Sequence, residues 1–250
     1  MAGENDDLML DIELRSAEEA AARLVILSGI IQLALTFDDD DCGRTVVELE
    51  RTDLLDALRI GQASAQLSPS ERSLLASIES QSVDEETVLG ILWQMEALAA
   101  LGWAATKLPN LPDPWQQAEV AELMASIPAP WDELDHFFAS HRLRPEVEIA
   151  AAREMAELWA WRSALESDLQ SAGGRERSEL LTILREATTE AAHAGLIRSS
   201  EGDFSVRSHP FSQTDSVTRA TIAEVSTQRL WALNWLCGFG SSWDDVPLDL

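Results

Sequence analysis

The chain has 250 residues, 44 acidic against 18 basic, a formal net charge of −26 and a single lysine, Lys107. A surface of this sign repels phosphate and anionic lipid, which disfavours nucleic-acid and membrane binding and favours a basic protein or peptide as partner. Two cysteines, Cys42 and Cys237, exclude a disulfide framework, and a chain of this length can bury a core that needs no cross-link.

Three explanations of the acidity stay open at this level. It can serve solubility alone, it can be an adaptation to high salt, or it can form a face that neutralises a basic protein, as immunity and inhibitor proteins do.

The first residues, Met1 to Asp7, are acidic and carry no basic segment of the kind that opens a secretory signal, so a cytoplasmic protein is expected, with a flexible acidic N-terminus over residues 1–14. Ser16-Ala-Glu-Glu19 then reads as a capping box, followed by Leu24, Leu27, Ile31 and Leu35 at helical spacing. The apolar run Val25 to Phe37 is too short to span a membrane. The helix ends at an acidic turn, Asp38, Asp39, Asp40 and Asp41, before Cys42 and Gly43. A calcium loop starting at Asp38 has Asp40 and Gly43 in register, but it places Cys42 at its fifth position and Leu49 at its twelfth, where a bidentate Glu is needed. The turn is therefore read as a solvated acidic surface able to meet a basic partner, with no metal.

Ser68-Pro-Ser-Glu71 opens a second helix, with Pro69 at its first position. Ser82-Val-Asp-Glu85 repeats the pattern before a long apolar helix ending near Lys107. Thr87 to Thr106 has the length of a membrane span, but Gln94 and Glu96 near its middle mark it as a buried helix of a soluble protein. Glu96 is flanked by Leu92, Trp93, Leu98 and Leu101, and a carboxylate there must be paired, hydrogen-bonded or protonated. Its structural reading is a salt bridge to Arg162 or Arg229 that ties long helices together; its functional reading is a general base or ligand carboxylate with a raised pKa.

The loop Leu108 to Pro114, with three prolines, is a firm break. A shorter helix is expected from Asp113-Pro114 to just before Pro128-Ala-Pro130. The longest helix is expected from Pro145 to Ser171, ended by Gly173-Gly174, and another from Arg175 to Ala194, stopped by Gly195. Leu196 to Val206 reads as a small hairpin turning at Ser199 to Gly202. A final helix spans Thr214 to Cys237 and stops at Gly238. The fold class that follows is mainly α, a multi-helix globular domain with one small β-hairpin near residues 196–206. A single domain over 1–250 is expected, at most in two lobes meeting at 108–114, because the apolar helices on both sides of that loop need partners. No repeat, heptad run or low-complexity tract is present, and nothing in the chain fixes an oligomeric state.

In the last helix Asn234 lies between Trp231 and Trp235, where its amide can orient a ligand or bond a nearby carbonyl; the tryptophans at this spacing read as core. Asp244 and Asp245 in the tail are expected either to dock their own chain or to meet a basic partner. His136 and His141 do not form a zinc motif, and the chain holds no GxSxG elbow, P-loop or dinucleotide fingerprint, so no cofactor, metal or catalytic residue is assigned.

Taken together, several segments resemble a bacterial family that carries only the label domain of unknown function 4272. They are Arg15 to Arg23, Leu67 to Arg72, Trp93-Gln-Met-Glu96-Ala-Leu98 with Gly102-Trp-Ala104, and Leu143 to Glu146 with Trp159-Ala-Trp-Arg162. Arg229, Ala232 to Leu236 and Trp243-Asp-Asp-Val246 complete the set. Where relatives are expected to have Tyr-Arg-x-His, this chain has Met155-Ala-Glu-Leu158. The resemblance implies no reaction. The residues alone favour a non-enzymatic cytoplasmic binding protein for a basic protein or peptide. The rival is an enzyme or small-molecule pocket, which requires Glu96, Arg162, Arg229 and Asn234 to meet in one solvent-reachable cavity.

Overall fold

A computed structural model of the chain describes residues 12–37 and 44–248. Helix α1 (Ala17–Leu35) starts at the expected capping box: Ser16 Oγ accepts from the Glu19 N–H, and the Glu19 carboxylate accepts from the Ser16 N–H at 2.9 Å. Nearly every side chain from Ala20 to Ala34 is buried, so α1 is apolar all round and runs through the interior instead of along its surface. Helices α2 (Arg44–Ile60), α3 (Pro69–Glu79), α4 (Glu85–Trp93) and α5 (Met95–Ala104) follow. Ser68 and Glu71 cap α3 reciprocally, as the sequence predicts.

Two expected helices come out differently. The apolar helix begins two residues later than Ser82 suggested, because Asp84 is its cap, accepting from the Thr87 N–H at 2.8 Å. It is then interrupted at Gln94, whose N–H bonds the Ile91 carbonyl three residues back, a tightened turn that separates half-exposed α4 from buried α5. The segment Glu85–Ala104 is long and apolar enough by length and composition to cross a membrane, and half of it is buried within the fold. The helix expected from Pro114 shrinks to α6 (Ala121–Ser126), preceded by a turn in which Gln116 N–H bonds the Asp113 carbonyl. The short α7 (Asp135–Ser140) leads to α8 (Glu146–Ser171), which Pro145 precedes, and α9 (Gly174–His193) folds back beside it.

The predicted hairpin is present and has a third strand. Strands β1 (Ser199–Ser200), β2 (Asp203–Val206) and β3 (His209–Pro210) pair antiparallel in that order, with Ser200 opposite Asp203 and Val206 opposite His209. Both two-residue turns place their residues at positive φ, Glu201 and Gly202 in one, Arg207 and Ser208 in the other, the twist that joins adjacent antiparallel strands. Helix α10 (Ser216–Leu236), capped by Asp215, packs between α5 and α8.

One large apolar cluster takes residues from both sides of the Pro-rich loop, among them Leu27, Leu101, Leu123, Ile149 and Leu233. A smaller one joins the sheet to α8 and α10 through Trp159, Phe204, Phe211 and Ile222. Of the N-terminal segment expected to be flexible, residues 12–14 are described, and Ile12 and Leu14 pack against the large cluster. Arg15 then fastens this strand to the end of α10, donating from Nε to the Trp235 carbonyl at 2.8 Å and from Nη2 to the Gly240 carbonyl at 2.9 Å.

The C-terminal tail turns back at Gly240, at φ +85°, where an added Cβ would lie 2.2 Å from the Asp245 carbonyl oxygen. A side chain there meets both the left-handed backbone penalty and a backbone wall. Gly240→Ala is expected to lower stability by at least about 1 kcal/mol, read as a fall in the urea midpoint. An unchanged midpoint would mean the tail is not docked as described.

Candidate functional site

Glu96 lies in the first turn of α5 and is buried beside α10. Its two oxygens are both engaged. One accepts from Arg229 Nε and Nη2 at 3.0 and 2.8 Å, the other from the Ala118 N–H at 2.7 Å. Arg229 also donates to the Pro112 and Gln116 carbonyls at 2.6 and 3.2 Å. Burial pulls the Arg229 guanidinium below its ordinary pKa while Glu96 and Asp113 push it back up, and a guanidinium remains charged. Of the two arginines the sequence offered to Glu96, the partner is Arg229.

Arg162 sits elsewhere. It is fully buried in α8 and grips Asp203 at the start of β2, Nε to Oδ1 at 2.7 Å and Nη2 to Oδ2 at 2.9 Å, with Glu166 one turn along at 3.1 Å. Asn234 belongs to a third arrangement. Its Oδ1 accepts from Arg153 Nε at 2.6 Å, and its Nδ2 donates to the Pro247 carbonyl at 2.9 Å, so the amide holds the tail and is not presented to solvent. Glu96, Arg162, Arg229 and Asn234 therefore do not meet in one cavity. They form three separate, internally satisfied networks, and the expectation of a shared site is corrected. Arg153 and Asp203, which complete two of them, were not singled out from the sequence. Their pairing spans 81 and 41 residues, and no local pattern carries it.

The acidic candidates divide in the same way. Asp244 caps α3, accepting from the Ser70 N–H at 2.8 Å, and Asp245 accepts from Ser241 Oγ at 2.8 Å, so both serve their own chain. Asp38, Asp39, Asp40 and Asp41 lie outside the described residues. Among the described residues no group of three or more His, Cys, Asp or Glu side chains is placed to hold a metal ion. Cys237 is buried, and burial pushes its thiol up to about 11, which keeps it protonated and unreactive near neutrality.

Two of the concave surfaces among the described residues bear on function. One is an open cleft of about 630 Å³ between the end of α2 and the loop after α6. Asp53, Asp56, Ala57 and Ile60 recur at helical spacing along α2 and face Pro130, Trp131 and Asp132. Trp131 is 57% exposed and Ile60 84% exposed. Gln62 fixes the width, accepting from the Leu134 N–H at 2.7 Å and donating to Asp135 at 2.9 Å. Gly61 lets the loop come close, since a Cβ there would lie 2.8 Å from the Pro130 carbonyl oxygen. The sequence signal for this face was Trp131 directly after Pro128-Ala-Pro130, a tryptophan outside any helical pattern. The other surface is a cavity of about 330 Å³ between α8, α10 and the Pro-rich loop. Met155 and Ala156, the first two residues of the Met155-Ala-Glu-Leu158 segment, are on its wall.

The chain belongs to the family described as Domain of unknown function (DUF4272), whose pattern matches residues 9–180, more than half of its length. The match includes Glu96 and Arg162 and ends before Arg229, Asn234 and the Trp-rich tail. No curated protein and no solved structure matches the chain.

Glu96→Ala leaves Arg229 buried without its counter-charge, and a loss of about 3–5 kcal/mol is expected in denaturant unfolding. Replacing both residues with apolar ones is expected to cost less than the two single losses added together, and strict additivity would show that the pair is not coupled.

The Asp203 network sets a pH dependence. Burial works to raise this carboxyl, but hydrogen bonds and charge from Arg162, with the Ser212 and Phe204 N–H groups, outweigh it and hold the pKa below the ordinary 3.8. A depressed folded value adds stability that is present above the unfolded pKa and is lost as pH falls through the folded one. Unfolding followed from about pH 5 to about pH 2 should therefore lose stability less steeply in Asp203→Asn than in the natural chain.

Proposed function

We propose that this protein is a non-enzymatic, cytoplasmic binding protein whose partner is a basic protein or peptide, and that the cleft at Trp131 is its contact face. The observation that carries the reading is the combination within that cleft of an exposed tryptophan and an exposed isoleucine with Asp53, Asp56 and Asp132. Large apolar side chains left in water beside carboxylates that form no salt bridge among the described residues suit a segment that offers both apolar and cationic groups. An arginine can stack on the Trp131 ring while its neighbours meet the aspartates. The chain's charge of −26 adds long-range attraction that accelerates encounter with such a partner.

Glu96 is in keeping with the non-enzymatic side of this reading, because the Arg229 ion pair and the Ala118 N–H already engage both of its oxygens. An inhibitor or immunity protein that masks a basic toxin is the sharper form of the proposal. A surface acidic only for solubility or salinity is its rival, and it gives the Trp131 cleft no special part.

An arginine- and leucine-containing peptide titrated by calorimetry separates the two. Binding at low salt that weakens as salt rises is expected. Trp131→Ala should weaken it about tenfold, and Asp53→Asn with Asp56→Asn should also flatten the salt dependence. Equal affinity in the natural chain and in both variants would assign the binding to undirected surface charge and remove the proposal.

A further inference from the structure

The cavity between α8, α10 and the Pro-rich loop is independent of the Trp131 cleft. Its walls are apolar, formed chiefly by Trp103, Leu111, Met155, Trp159 and Leu233. They are also held stiffly. The Trp159 ring is wedged by edge contacts to Trp115 and Phe204, with centroids 5.9 and 5.2 Å away, and Arg144 lies 4.8 Å over the Trp103 ring. The loop side carries Pro112 and Pro114, whose φ angles are fixed by their rings. A cavity of about 330 Å³ is at the small end of the range that takes small-molecule ligands.

The polar lining decides the ligand's character. Two of the lining residues are charged, Arg229 and Asp113. Arg229 is matched by Glu96 in a 2.8 Å ion pair. Asp113 is exposed and forms no salt bridge among the described residues; it acts on Arg229 only through the field, and with Glu96 it leaves this group of charges one negative charge in excess. An anionic ligand meets that carboxylate and the field of a strongly acidic protein. A cation finds an opposite charge at Asp113 in a lining that also carries the indole rings of Trp103 and Trp159.

We infer that this cavity is a binding site for a small apolar amine, with the hydrocarbon or aromatic body between Trp103, Met155 and Trp159 and the ammonium group at Asp113. The body releases water from apolar walls that α8 and α10 already hold in place, so little ordering opposes binding. The charge contact orients the molecule and selects its sign.

The test uses 2-phenylethylamine as probe and the methyl resonance of Met155 as reporter, in the full chain. The amine should shift that resonance with a Kd of about 1 mM or tighter. Its anionic counterpart, 3-phenylpropionate, should shift it much less at equal concentration. Asp113→Asn should weaken the amine by about threefold and narrow the difference between the two probes. Ala152→Phe, which fills the cavity from a partly buried position on its wall, should abolish the shift. An amine that leaves Met155 unmoved, or a carboxylate that binds as tightly as the amine, overturns the inference. Because Asp113 is exposed, its variant retains the fold and decides the question even where the cavity-filling variant does not fold.

Discussion

The structure depends on what its interior arginines require. A guanidinium taken out of water needs acceptors on several sides, and leaving it short costs several kcal/mol, more than most single contacts supply. Among the described residues four arginines are buried, Arg23, Arg153, Arg162 and Arg229, and each finds acceptors on a different part of the chain, although the Nε of Arg23 has none. Arg23 joins α1 to Glu71 of α3 and to the Gln66 carbonyl, under the ring of Trp243. Arg153 joins α8 to Asn234 of α10. Arg162 holds the sheet against α8, and Arg229 holds α5 and the Pro-rich loop against α10. Lysine offers no planar fork for such work, which is consistent with a chain that has only one.

That requirement explains the irregular segments. Between Pro112 and Ala118 two carbonyls turn to Arg229 and one N–H turns to Glu96. The Gln116 carbonyl and the Ala118 N–H are groups a helix begun at Pro114 would need for itself, and a buried ion pair is the stronger claimant. The tail is drawn in by the same logic. Asn234, oriented by Arg153, binds the Pro247 carbonyl, while Asp244 satisfies an N–H at the start of α3. Loop and tail are shaped by groups inside the bundle, whereas most of the carboxylates that make the chain acidic remain outside it.

The difference between near and distant partners also sets what the sequence made legible. The boxes at Ser16 and Ser68, the stop at Gly238, the long helix after Pro145 and a hairpin near 196–206 depend on residues a few positions apart, and all were readable. The first strand, however, is Ser199–Ser200, residues the sequence reading gave to the turn. The pairing of Glu96 with Arg229 was readable as one of two options, because a lone carboxylate in an apolar helix demands a cation without saying which. Asp203 as the partner of Arg162, and Arg153 as the partner of Asn234, were not readable, because only the assembled fold brings them together. The same holds for the cleft. Asp53 and Asp56 are two acidic residues among 44 until the loop carrying Trp131 is laid against them.

The cleft and the cavity each lie where a proline-containing loop meets a helix, and each takes its shape from a polar clamp behind it. At the cleft, Gln62 bonds the loop at Leu134 and Asp135, holding Trp131 away from the core it would otherwise join. At the cavity, Arg229 fixes the Pro112 and Gln116 carbonyls, which keeps Asp113 at the rim and Pro112 on the wall. Proline limits the loop conformations available, and the clamps select among those that remain. An apolar surface left open in water tends to be closed by the nearest flexible side chain. Here the segments best placed to close it are tethered. Glu96 and Arg229 thus shape the cavity: by fixing the loop, the pair holds Pro112 and Asp113 opposite α8 and α10, with Arg229 itself part of the lining.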